Sequence, residues 1–312
     1  MKKRIVLALI LITLMAFPVL HAPKVSAATL SDAILEELKI QIQQLLQILK
    51  QLTQQLLELA ENQSQQLADI SWSCGESVTF AYKGQMVTYG TVESQGRCWL
   101  DRNLGASRIA TDSMDKLAAG DLFQWGRGDD GHQDCDLSRG EFTDKISTSD
   151  NPGHDKCITG YMNDDWRVPK NDNLWQGVNG INNPCPQGWR VPTKDEWETE
   201  RLSWPSNNAE GAFNSPLRLP TTDVRVWGDQ PLMGRSIGAY WSSTVPTGKN
   251  QEFDYSQLPY AYRLSFRNYS VFNQKDFQDF PGKDTPESVR QNNASIDLAV
   301  RVNGYAVRCI KD

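Results

Sequence analysis

Six cysteines, Cys74, Cys98, Cys135, Cys157, Cys185 and Cys309, are the most reactive side chains in this sequence. An even number in an exported chain predicts up to three disulfides, whereas zinc would call for closely paired cysteines, and no CxxC pair occurs. A second set of candidates lies between Gly126 and Asp165, where His132 and His154 stand among Asp129, Asp130, Asp134, Asp136, Asp144, Asp150 and Asp155. Oxygen-rich loops can take Ca²⁺, but Asp129 to Asp136 does not fit the EF-hand spacing. The stretch reads as a long solvated surface loop pinned by Cys135 and Cys157, with no metal and no cofactor. Nucleophilic catalysis needs a base beside a serine or cysteine, and neither histidine neighbours a GxSxG-type motif. No catalytic residue is expected. The third set interleaves rigid amphipathic rings with short hydrogen-bonding side chains: Asp254-Tyr255-Ser256, Tyr260-Ala261-Tyr262-Arg263 and Arg267-Asn268-Tyr269-Ser270. That is the composition of a paratope. It nominates Asp254, Tyr255, Tyr260, Tyr262, Arg267, Asn268 and Tyr269 as ligand-binding residues; an ordinary wet loop is the competing reading.

The elements that must carry these residues fall into three parts. The chain opens with the cationic Met1-Lys2-Lys3-Arg4, an apolar run from Ile5 to Phe17, and Val25-Ser26-Ala27 as a small-residue cleavage pattern. This predicts a secretory signal over 1–27 and a mature chain with no membrane span. From Leu30 to Ile70 there is neither Gly nor Pro, and Leu35, Leu38, Ile42, Leu45, Leu49, Leu52, Leu56 and Leu59 repeat at alternating steps of 3 and 4. A strict 3.5-residue period is an a/d coiled-coil seam rather than the 3.6-residue stripe of a helix packed on its own domain. The spacing predicts an oligomerisation stalk over 28–70, about 60 Å long. Ile34, Ile48 and Leu46 at flanking positions widen the apolar face, which favours a homotrimer over a dimer. All 22 glycines and all ten tryptophans follow Ser71, so a separate turn-rich head is expected over 71–312. Strand-like runs at Ser77–Tyr82, Met86–Val92, Tyr262–Phe266 and Ala306–Ile310 predict an α+β head. Thr193 with Glu196 spells a capping box for a helix.

Removing residues 1–27 takes away four basic residues and no acid, leaving 28 basic against 38 acidic residues, a formal charge of −10. Such a chain repels phosphate backbones, so nucleic acid is an unsuitable partner.

The head carries an ordered set of motifs: Cys98-Trp99-Leu100-Asp101-Arg102-Asn103-Leu104, Gly120-Asp121-Leu122-Phe123-Gln124-Trp125-Gly126-Arg127, Asp165-Trp166-Arg167-Val168-Pro169, Asn183-Pro184-Cys185-Pro186-Gln187-Gly188-Trp189-Arg190-Val191-Pro192, Tyr240-Trp241-Ser242-Ser243-Thr244 and Val307-Arg308-Cys309. From about Cys74 to the end it resembles the Fibrobacter succinogenes major paralogous domain. The resemblance implies an exported bacterial protein with a C-type lectin-like head, in the variant shared with formylglycine-generating enzymes and with retroelement-diversified binders. It implies both head termini at one end, a two-helix periphery and a ligand face from C-terminal loops. Two departures limit what carries over: Cys309 stands alone in its last hundred residues, where formylglycine chemistry needs reactive cysteines, and the Glu-Pro-Asn and Trp-Asn-Asp signatures of sugar-binding lectins are missing. Trp99, Trp125, Trp166, Trp189, Trp197 and Trp241 sit inside the motifs beside turns and are expected in the core. Arg127-Gly128-Asp129 spells an integrin tripeptide but lies within a motif, so a structural role is expected. Six cysteines allow fifteen pairings; the position of each relative to these motifs favours Cys74 with Cys98, Cys135 with Cys157 and Cys185 with Cys309. Two functions remain: a secreted or cell-surface adhesin that presents heads multivalently to an extracellular protein or glycan, or a non-binding structural component of an envelope, surface layer or appendage.

Overall fold

The computed structural model describes residues 27–71, 73–160, 164–226, 237–248, 254–268 and 293–312. The secretory segment therefore lies outside the described residues, apart from Ala27. Two compact units divide between Trp72 and Ser73.

The first unit is one uninterrupted helix, α1 (Ala27–Ser71). Helix formers with no Gly or Pro explain its length. All eight seam residues are exposed, from Leu38 at 48% to Leu56 at 66%. A helix this long draws most of its stability from burying an apolar stripe, and no described residue of this unit covers the seam. Among the described residues no helix is long and apolar enough to cross a membrane.

The second unit mixes short strands with short helices. Its first strands are β1 (Val78–Tyr82), β2 (Gln85–Tyr89), β3 (Thr91–Ser94), β4 (Arg97–Leu100), β5 (Phe123–Gln124), β6 (Phe142–Thr143), β7 (Cys157–Ile158) and β8 (Trp189–Arg190). Then come helices α2 (Lys194–Leu202) and α3 (Ala209–Asn214), and strands β9 (Ile237–Trp241), β10 (Tyr260–Arg267), β11 (Ser295–Val300), β12 (Gly304–Tyr305) and β13 (Ile310–Lys311). Two sheets matter most, one ordered β3-β4-β13-β8 and the other β11-β10-β9; β1 pairs with β2, β5 with β12, and β6 runs parallel to β7. The run Met86–Val92, read as one strand, splits into β2 and β3 at Gly90, whose amide donates to Asp101 Oδ2 at 3.0 Å. A Cβ at Gly90 would lie 2.5 Å from that oxygen, so the chain turns where only glycine fits.

The capping box forms as its sequence predicts: Thr193 accepts from the Glu196 amide, and Glu196 accepts from the Thr193 amide at 2.8 Å. With α2 thus started, Trp197 enters the core between Trp99 and Tyr240, with ring centroids 4.9 and 5.7 Å away. Tyr240 stacks on Phe266, and Trp204 meets Phe266 edge-on. The six motif tryptophans are all buried. Most of their indole N–H groups donate to carbonyls of remote loops, as Trp125 to Ser242, Trp166 to Trp125 and Trp241 to Phe123. These indoles thus fill volume and also satisfy carbonyls that burial would otherwise leave unpaired, whereas the buried Trp99 N–H has no hydrogen-bond partner among the described residues.

Three disulfides staple the unit: Cys74–Cys98, Cys135–Cys157 and Cys185–Cys309, the last closing a separation of 124 residues. The stretch Gly126–Asp165 is for the most part exposed or half-buried and is pinned by Cys135–Cys157, as its polarity suggested, but part of it is drawn into the interior. Arg127, His132, Gln133, Cys135, Cys157 and Ile158 are buried in it, because Arg127 and the disulfide draw the chain inward. Arg127 donates to Asp130, Gln124 Oε1 and the carbonyls of His154 and Lys156, so the Arg-Gly-Asp tripeptide is part of the packing.

Candidate binding face

The alternation of β10 decides how the nominated residues are presented. Leu264 and Phe266 point into the core with Tyr240, whereas Arg263, Ser265 and Arg267 point the other way. On that second face Arg263 stands opposite Asp297 of β11, and Ser265 opposite Ser295. Arg263 Nε donates to Asp297 Oδ1 at 2.7 Å, and Ser265 Oγ to Asp297 Oδ2 at 2.8 Å. The guanidinium lies 4.6 Å from the centre of the Tyr305 ring, which itself packs on Trp241. Burial works against the charge of Arg263, but Tyr305 and Asp297 outweigh it and its pKa is raised. Burial pushes the Tyr305 phenol up. The result is a shallow depression of about 660 Å³, lined among others by Tyr260, Arg263, Ser265, Arg267, Ser295 and Asp297. Its polar groups are held in place before any partner arrives.

The nominated residues do not form one cluster. Tyr260 and Arg267 line this depression, but Tyr262 lies in a neighbouring groove of about 800 Å³ between α2 and β11, with Lys194 Nζ 5.0 Å above its ring. In that groove Arg201 and Glu198 form a two-pronged pair at 2.8 and 2.7 Å. Asp254 accepts from the Ser256 amide and hydroxyl and so shapes a short 3₁₀ turn, Tyr255–Gln257. Asn268 Nδ2 donates to Ser113 Oγ at 3.1 Å. The Tyr255 side chain and the whole of Tyr269 lie outside the described residues. Arg263, Ser265, Ser295 and Asp297 were not nominated. The period-2 pattern of Tyr260–Arg267 and Ser295–Val300 carried the signal, since alternate residues of a strand share a face.

Carboxylates of the polar loop also meet cations from outside it. Lys83 Nζ sits 3.1 Å from Asp121 Oδ2 and 3.0 Å from Asp134 Oδ2, and the Tyr82 hydroxyl donates to Asp121 at 2.8 Å. Among the described residues no group of three or more His, Cys, Asp or Glu side chains converges. His132 Nε2 accepts the Gln124 amide at 2.9 Å, which places the ring proton on Nδ1, 2.5 Å from Asp130. Burial pushes this imidazole down to about 3, and both nitrogens are occupied. Every described cysteine is in a disulfide. What the face offers chemically is recognition by fixed guanidinium, hydroxyl, carboxylate and phenol groups.

No protein family, curated protein or solved structure matches this chain.

Proposed function

We propose that this chain is an exported bacterial cell-surface binding or adhesion protein, whose C-type lectin-like heads, related to the Fibrobacter succinogenes major paralogous domain, are presented together on a trimeric coiled coil. The observation that carries the proposal is the exposed seam of α1, eight large apolar residues in strict a/d spacing along one unbroken helix. Such a stripe is stable in water when copies of itself cover it. The preorganised sheet face supplies the contact, and a weak contact repeated on several linked heads gains strength without any new interaction. The disulfides support export. The ligand is an extracellular protein or glycan recognised without chemistry upon it.

The test uses the mature chain and its Leu45→Asp/Leu52→Asp variant. The wild type is expected to sediment as a trimer and to remain on intact cells after washing. The variant is expected to sediment as a monomer and to lose retention by about a hundredfold or more. A monomeric wild type, or a monomeric variant that is retained equally, overturns multivalent display. Retention of neither protein on any cell tested favours the non-binding envelope component.

A further inference from the structure

Arg225 is a guanidinium buried to 5% exposure; among the described residues no carboxylate makes a direct ion pair with it, and Asp121 and Asp134 act on it only from further away. Its donors meet the carbonyls of Leu122, His132, Gln133 and Cys135 at 3.2 to 3.4 Å and, closest of all, Cys157 Sγ at 2.9 Å. A buried cation that no carboxylate of the described residues touches directly is only partly compensated. The cost is offset if an anion forms beside it, and the nearest atom able to become one is the Cys157 sulfur. The two sulfurs of this disulfide are unequal. Cys157 is fully buried, whereas Cys135, buried to 8% exposure, is on the wall of a depression of about 640 Å³. That depression is walled by Asp129, Asp130, Asp134, Glu141 and Asp155 against only three cations.

We propose that Cys135–Cys157 is a thiol–disulfide exchange site, in which an external dithiol attacks the Cys135 sulfur and Arg225 receives the departing Cys157 thiolate. The first thiolate of the dithiol bonds to Cys135 Sγ while the Sγ–Sγ bond breaks and its electron pair leaves on Cys157. The second thiol, once deprotonated, displaces Cys135 and closes the reductant to its disulfide. Two electrons pass to the protein; of the two protons, one ends on Cys135 and one in solvent, with Cys157 held as thiolate. A leaving thiol of lower pKa departs faster, which is what the guanidinium supplies. The segment need not unfold when the bond opens, because β6 remains paired with β7 and Arg127 still holds the carbonyls of His154 and Lys156. The acidic wall selects a neutral or cationic reductant.

The experiment reduces the folded protein with dithiothreitol, alkylates at intervals with iodoacetamide and follows each cysteine by mass spectrometry. Arg225→Met is expected to slow opening of Cys135–Cys157 about tenfold and Arg225→Lys to restore most of the rate, while Cys74–Cys98 opens unchanged in the same samples. An Arg225→Met rate equal to wild type, with Cys74–Cys98 unchanged, overturns the proposal. If Arg225→Met opens all three disulfides faster, the head has lost its fold, and the wild type decides. With 2-aminoethanethiol as probe the mixed disulfide is expected on Cys135, formed faster than with 2-mercaptoethanesulfonate at low salt. A mixed disulfide on Cys157, or equal rates for the two thiols, overturns it.

Discussion

At the scale of the residue, several polar side chains in the head are buried with unequal success. Asp165 is 3% exposed and lies 3.9 Å from Arg301, which is engaged more closely by Asp172. Burial therefore wins, and the Asp165 carboxyl is pushed up to about 6 from 3.8. A folded-state pKa above the unfolded value means that the folded form binds the proton more tightly. Stability from this group is greatest below pH 4 and declines as the pH rises to 6, by about 3 kcal/mol at most. Asp165→Asn is expected to raise the melting temperature at pH 7.5, with the gap closing by pH 4; calorimetry across that range checks it. Asp115 is the opposite case. Arg108 and the amides of Thr111 and Leu117 converge on its carboxylate and hold it well below the usual range. Its contribution is present above the ordinary carboxylate pKa and disappears as the pH falls beneath it. Asp115→Ala should cost about 2 kcal/mol at pH 7, read from urea midpoints.

Among the elements, α2 is placed by local chemistry and then used by the core. Thr193 and Glu196 satisfy each other's backbone partners, and Glu196 additionally receives Arg190 through both guanidinium nitrogens at 2.8 and 2.7 Å. The box therefore ties the helix start to β8. Thr193→Ala is expected to lower stability by about 1 kcal/mol, and Glu196→Ala by more because Arg190 then loses a partly buried anion. Denaturant melts of the two variants give the comparison; equal costs would show that the Arg190 pair contributes nothing. The same logic separates α1 from α2. The first has a seam that is exposed within its own unit, whereas the second has a cap, a core-facing tryptophan and a pair to a neighbouring strand.

For the molecule as a whole, a ten-residue run that stops two residues short of Asp312 is the centre of the head. Arg301 to Ile310 are all buried, and they cross β5, β9, β4 and β8 in turn. The Cys185–Cys309 bridge anchors this tail to a segment 124 residues away. In the chain-entropy account, closing so long a loop contributes about 5 kcal/mol, against about 3 kcal/mol for the separation of 24 at Cys74–Cys98. Replacing both cysteines of each bridge with serine should reproduce that order in thermal unfolding, with the Cys185/Cys309 variant the least stable. The reverse order would mean that native packing, rather than loop closure, sets the contribution.

By itself the sequence determined whatever rests on local patterning: the long helix from its a/d period and lack of breakers, the start of α2 from Thr193 and Glu196, and the burial of motif tryptophans beside turns; it put the change of composition at Ser71, and the two compact units divide between Trp72 and Ser73. The cysteine pairing was one favoured choice among fifteen, and the structure makes that choice. What only the tertiary structure decided depends on contacts distant in sequence. The polarity of Gly126–Asp165 suggested a solvated loop, and nothing in its composition reveals that Arg127 and His132 will hold Asp130, or Arg225 the carbonyls of His132, Gln133 and Cys135, from within. Tyr262 and Arg267 looked alike as candidates, yet strand register sends one to the α2 groove and the other to the open sheet face. Arg263 and Asp297 are 34 positions apart and become partners only when β10 and β11 pair. Local pattern sets which element forms; the faces that meet are chosen by burial and pairing over the whole chain.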